Sequence, residues 1–187
     1  MVLFFEDKNL LGRIVKAQGT DSDALTSLAF DQDYTVRATV ASNQSTPEDI
    51  LAMLARDKEE EVRVYVAFNP SAPASALLNL ANDRCGIIRI YASQHPKQTH
   101  HVLATLVSDP EETVRINVAE HKNISPSILE NLAYDLNDRV RILVASNPST
   151  PKGTLELLAT DIDDRVRLAV LENPTTSLET LQKHFNK

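Results

Sequence analysis

One cysteine, Cys85, stands in a chain of 187 residues. That excludes an internal disulfide framework, a four-cysteine metal cluster and a CxxC redox pair, and makes a reducing, cytoplasmic setting the default expectation. Glycine is scarce as well. Four residues leave little room for a phosphate loop or a dinucleotide fingerprint, and neither GxSxG nor HExxH occurs. No catalytic or cofactor-binding motif is therefore read, and the carboxylates lie in helix-start positions where capping suffices. No apolar run approaches the ~20 residues that a membrane helix needs. The apolar start, Met1–Phe5, is short, lacks a basic leader and turns acidic at Glu6 and Asp7, unlike a secretion signal. Bases are outnumbered 19 to 26, giving a formal charge of −7, a sign that does not favour general phosphate binding. Hydrophobic residues nonetheless make up 42%, enough for a core.

What is present is a repeat. Val-Arg or its equivalent recurs every 26 residues: Val36-Arg37, Val62-Arg63, Ile88-Arg89, Val114-Arg115, Val140-Arg141 and Val166-Arg167. A fixed period of this size means one small unit stacked on copies of itself. Counting from each Val as position one, Leu25, Leu51, Leu77, Leu103, Leu129 and Leu155 share position sixteen. Leu28, Leu54, Leu80, Leu106, Leu132 and Leu158 share position nineteen. Spacings of three and four place these leucines on one face of a first helix. Thr46-Pro47-Glu48-Asp49 predicts its start, with the hydroxyl as cap; Ser125-Pro126 and Thr150-Pro151 repeat that chemistry. An Asp lies six residues before each Arg: Asp31, Asp57, Asp83, Asp109, Asp135 and Asp161. A second helical segment follows, apolar at one, three, five and six. That density predicts a short, tight helix, partly 3₁₀, ending at Asn69-Pro70, Asn147-Pro148 and Asn173-Pro174.

The unit resembles the leucine-rich repeat variant family, and Val140–Asp161 shows the pattern almost unbroken. The resemblance covers residues 20 to 181. It implies a HEAT-like fold: an all-α, right-handed solenoid of 26-residue two-helix repeats, an α-helix plus a short α or 3₁₀ helix. The chain reads as one repeat domain, 1–187. Residues 1–35 are an N-terminal cap and partial repeat, 36–165 five full repeats, and 166–187 a capping repeat with Leu178, Leu181 and a polar end. In the first segment Leu11 falls where the others carry Arg. Some members of that family hold an N-terminal iron–sulfur cluster on cysteines that this chain lacks, so no cofactor is expected. The resemblance implies a fold and no activity.

Residues that depart from the pattern are the candidates for function. Positions four and seven of the second helix share a face and vary. In mid-array they hold Tyr65, Phe68, Tyr91 and Gln94, followed by Glu120. This strip predicts a non-catalytic protein-interaction module or scaffold, with the aromatics as anchors and a protein as partner. The competing reading has Tyr65 and Phe68 filling gaps between repeats. The alternative function is a HEAT-like nucleic-acid binder gripping phosphates with Arg63, Arg89, Arg115 and Arg141. The matched Asp set instead predicts Asp–Arg pairing within or between repeats. His95 and His121 replace Asn at position eight, and His100 and His101 open a first helix; they read as turn residues, and no metal site is expected. Asp83-Arg84-Cys85-Gly86-Ile87 is irregular. Gly86 permits unusual backbone angles there, and Cys85 reads as a small buried filler.

Overall fold

The computed structural model describes residues 8–122, 124–177 and 179–180. The apolar start, Leu178, Leu181 and the polar end lie outside them. Among the described residues are thirteen helices and no strand: α1 (Lys8–Ala17), α2 (Ser22–Leu28), α3 (Tyr34–Ser42), α4 (Glu48–Leu54), α5 (Glu60–Phe68), α6 (Ala74–Ala81), α7 (Gly86–Gln94), α8 (His100–Leu106), α9 (Glu112–Ala119), α10 (Pro126–Leu132), α11 (Asp138–Ser146), α12 (Lys152–Leu158) and α13 (Asp164–Glu172). None is long and apolar enough to cross a membrane. The all-α repeat architecture is as the period predicts. Contacts gather into two compact units, Met1–Val102 and Leu103–Lys187, with the boundary inside α8.

Each unit is a stack in two layers. In the first, the odd-numbered helices α1, α3, α5 and α7 lie side by side, with α4 and α6 packed together behind them. In the second, α9, α11 and α13 do the same, with α10 and α12 against them. The first helix of each repeat has only seven or eight residues, about two turns, too short to hold in water by itself. The stack supplies the missing stability. Leu51, Leu77, Leu129 and Leu155 are 0–1% exposed, and Val36, Val62, Val140 and Val166 meet them from the other layer at 0%. Leu28, at the edge, is only half-buried.

The second helix is α-helical along its whole length, not partly 3₁₀, and at nine residues it is the longer of the pair. Its density of apolar residues has another cause. It is enclosed by the first helices on one side and by its neighbours in its own layer on both flanks. Short i→i−3 bonds occur at its end, as from Asn43 N–H to the Val40 carbonyl.

Two polar ladders close the loops. The hydroxyls of Thr46, Thr150 and Thr176 do not cap the first helices; they donate backward, 2.5–2.6 Å, to the Val40, Val144 and Val170 carbonyls. They thus satisfy acceptors at the end of the second helix, which a helix C-terminus leaves unmet. Ser125 does precede α10, yet it makes no cap bond. The Asn at position eight is an inter-repeat bolt. Asn69 Nδ2 donates to the Ala41 and Asn43 carbonyls at 2.7 and 2.9 Å, and Asn173 does the same to Ala145 and Asn147. Asn43 reaches Ala17 and Gly19, 26 and 24 residues back where Asn69 spans 28 and 26. The first repeat is therefore short by two residues in its loop, and Arg13, not Leu11, takes the arginine position. Arg13 pairs with Asp31 at 2.8 Å, while Leu11 is 67% exposed.

Gln98 stands where three repeats carry these threonines and two carry Ala72 and Ile124, and both ends of its buried amide lack a hydrogen-bond partner. Gln98→Thr restores a hydroxyl able to reach the Ala92 carbonyl. It is expected to raise stability by about 1 kcal/mol, read from the thermal unfolding midpoint.

Candidate functional site

Residues at positions four and seven of α5 and α7 point out of the first unit's layer because positions one, five and six are consumed by the core. Phe68 is 57% exposed and Tyr65 38%. Phe68 on α5 meets Tyr91 on α7 with ring centroids 4.2 Å apart and planes tilted by 44°. The two rings thus pack across a repeat junction and still present a face to solvent. Gap filling and exposure coexist here. Gln94 is exposed at the end of α7. On its other flank Tyr65 borders a cleft of about 510 Å³, lined by α3 residues Thr35, Thr39 and Ser42, by Glu61 one turn before it, and by Gln18. Thr39 and Ser42 donate their hydroxyls to the Thr35 and Thr39 carbonyls, at 2.8 and 2.9 Å. The cleft's polar character therefore rests on Gln18, Glu61 and the Tyr65 phenol. Glu61 was not singled out in the sequence; its i, i+4 relation to Tyr65 is the signal that points to it. Glu120 lies in the second unit, at the end of α9, and pairs with Arg139 at 3.4 Å.

The arginine ladder has a different geometry. Arg37 chelates the Asp57 carboxylate of the next repeat through Nε and Nη2 at 2.7 and 3.0 Å. Its Nη1 donates to the Asp31 and Gln32 carbonyls of its own loop at 2.7 and 3.2 Å. Arg63 with Asp83, Arg115 with Asp135 and Arg141 with Asp161 repeat the arrangement at 2.5–2.7 Å. Each of these Asp residues also accepts the N–H two residues on, as Asp57 does from Glu59, which shapes the loop. The bond to Asp83 raises the Arg63 pKa further above its ordinary value, and bonds to Asp135 and Asp161 do the same for Arg115 and Arg141. Burial pushes the Asp57 carboxyl up, but the bonds from Arg37 and the Glu59 N–H outweigh it and hold the group below the usual range. A phosphate grip needs free guanidiniums. Those of Arg63, Arg115 and Arg141 are bidentate on carboxylates, and Arg89 donates to the Asp83 and Arg84 carbonyls at 2.9 and 3.4 Å. Engaged in this way, the ladder acts as an internal staple of the stack, as the matched Asp set predicts.

Comparison with known proteins agrees with this repeat. The leucine rich repeat variant model matches residues 34–59 and 138–163. A solved structure described as a leucine-rich repeat variant with a novel repetitive motif is 33% identical over 86% of this chain, with a TM-score of 0.64. The repeats at residues 34–59 and 138–163 are similar to those of the leucine-rich repeat variant family. The chain spans 64% of the length of that solved chain. No curated protein matches it.

Within this repeat the histidine at position eight acts as a substitute asparagine. His95 is buried; its Nε2 faces the Asn69 carbonyl at 3.0 Å, and its Nδ1 accepts the Lys97 N–H at 3.1 Å. That pattern requires the neutral ring with the proton on Nε2. The irregular junction keeps the repeat's loop, since the Cys85 N–H still bonds to Asp83. No described residue, Gly86 included, has a positive φ, so its freedom is unused. Cys85 is half-exposed, not a buried filler, and its thiol donates to Glu60 at 3.1 Å.

Arg63→Met leaves the Asp83 carboxylate in a site where both side chains are 6–7% exposed. A loss of about 3 kcal/mol is expected in urea unfolding. For His95, burial is the main force lowering its pKa below the ordinary 6.5; repulsion from Lys97 adds to it and the Asn69 carbonyl opposes it. The unfolded chain therefore takes the proton first. The contribution of His95 is full above about pH 6.5 and declines as pH falls toward the lower folded value. His95→Asn, the repeat's usual residue, is expected to remove that part of the pH dependence when unfolding is followed from pH 8 to 5.

Proposed function

We propose that the chain is a non-catalytic protein-interaction module and that its contact face is the second-helix face of the first unit. The observation that carries this reading is the Phe68–Tyr91 pair, Phe68 exposed and Tyr91 half-buried, beside the Tyr65 cleft. Aromatics provide large contact area at small entropic cost, and they act best on a rigid support. Here the support is rigid because each helix is stapled to the next by a buried Arg–Asp pair. Phe68 and Tyr91 anchor the partner, Tyr65 closes the cleft edge, and Gln94 and Glu61 supply the polar rim. Glu120 holds the same repeat position as Gln94 on the second unit, where it pairs with Arg139. The nucleic-acid alternative finds less support, because its arginines would have to abandon carboxylates for phosphates on a chain of net charge −7.

The test is capture of partners from the native cell with the wild-type chain and with a Tyr65→Ala/Phe68→Ala/Tyr91→Ala variant. Loss of the specific partners from the variant, with its circular dichroism and unfolding midpoint close to wild type, is the expected result. Unchanged capture by a folded variant overturns the assignment of the face. Nuclease-sensitive capture that falls steeply with salt favours the alternative.

A further inference from the structure

The second unit carries apolar residues that its scaffold does not need. Leu136 is 97% exposed, Ile162 94% and Tyr134 73%. Leu136 and Ile162 hold the same place in successive repeats, directly after the stapling Asp. In the first unit that place is polar: Gln32, Lys58 and Arg84. The repeat therefore folds without an apolar residue there. The exposure is also imposed by the structure. The Asp135 and Leu136 carbonyls accept from Arg141 at 2.8 and 3.3 Å, while the Asp135 carboxylate is held by Arg115. The Asp161 and Ile162 carbonyls accept from Arg167 in the same way. The loops are pinned on both sides, and their side chains are presented outward. Adjacent repeats place the two about 10 Å apart, close to the span of two helical turns.

Two depressions border Tyr134. One, about 760 Å³, is bordered by Pro110, Leu136 and Tyr134; the other, about 450 Å³, by Tyr134 and Leu157. Glu130 borders both and is exposed. The neighbouring cations are already engaged: Arg139 by Glu120, Arg165 by Asp138 and Asp163, Arg167 by Asp164. Of the exposed charges on α10 and α12, the acids Glu130 and Glu156 outnumber the base Lys152.

We infer that this loop edge is a second docking surface, separate from the aromatic face, and that its occupant is a basic amphipathic helix. Apolar residues two turns apart on that helix would cover Leu136 and Ile162. Lysine or arginine beside them would meet Glu130. The chain then has two contact faces of different chemistry, one on each unit.

The probe is a fluorescein-labelled 18-residue peptide of leucine and lysine at helical spacing, followed by anisotropy with the full chain. A control peptide carries glutamate in place of lysine. Saturable binding of the lysine peptide alone is expected. Leu136→Ser/Ile162→Ser should weaken it roughly tenfold, Glu130→Gln should reduce its salt dependence, and Phe68→Ala should leave it unchanged. The substituted side chains are solvent-exposed, and circular dichroism checks that the fold persists. Equal binding of both peptides, absence of binding, or equal affinity of the double variant overturns the inference. So does sedimentation showing that the double variant abolishes self-association of the wild type, which would make the occupant a second copy. Loss of lysine-peptide binding on Phe68→Ala also overturns it, because the probe would then sit on the other face.

Discussion

The arginine staple is the interaction on which the stack depends. One guanidinium joins its own helix, the carbonyls of the loop just before it and, 20 residues on, the carboxylate that shapes the loop of the next repeat. A planar fork suits this, because Nε and Nη2 take the carboxylate while Nη1 is left for carbonyls. Lysine has one nitrogen and cannot do both. Apolar burial supplies the larger energy but has no direction. The staple sets which loop lies against which helix, and so fixes the register of one repeat on the next.

Around it, the remaining buried polar groups are matched almost one for one. Asn43, Asn69, His95 and Asn173 at position eight tie back to carbonyls of the previous repeat, and in three repeats a threonine at position eleven closes the second helix. His95 shows how tolerant that scheme is. An imidazole replaces a carboxamide because both offer one donor and one acceptor at similar reach. Gln98 shows its limit: a longer amide at a hydroxyl's position loses both partners.

A scaffold held this way leaves its exposed positions free to vary, and variation is where contact surfaces arise. The aromatic pair of the first unit and the apolar loop edge of the second both stand on pinned backbone. Neither takes part in the staples. Rigid presentation lowers the entropy lost when a partner binds. Acidity on the surface follows from the same economy of charge, since the buried arginines are neutralised by their own aspartates and the exposed acids are left over.

The period, the two-helix unit and the leucine and valine positions were legible in the residues, because burial recurs at fixed spacing and only apolar side chains tolerate it. So was the pairing of Asp with Arg, though not which repeat supplies each partner. The short first loop was hidden: α1 is apolar enough to fit either register, and only the hydrogen bonds of Asn43 and the Arg13–Asp31 pair reveal it. The hydroxyls of Thr46 and Thr150 have donors and acceptors on both sides, so their direction is a matter of distance. Leu136 and Ile162 are apolar and yet lie on the surface of the fold. Sequence alone determined which side chains must leave water. Tertiary structure decided which polar group meets which and which apolar side chains stay outside, because those outcomes depend on distances between segments that the order of residues does not contain.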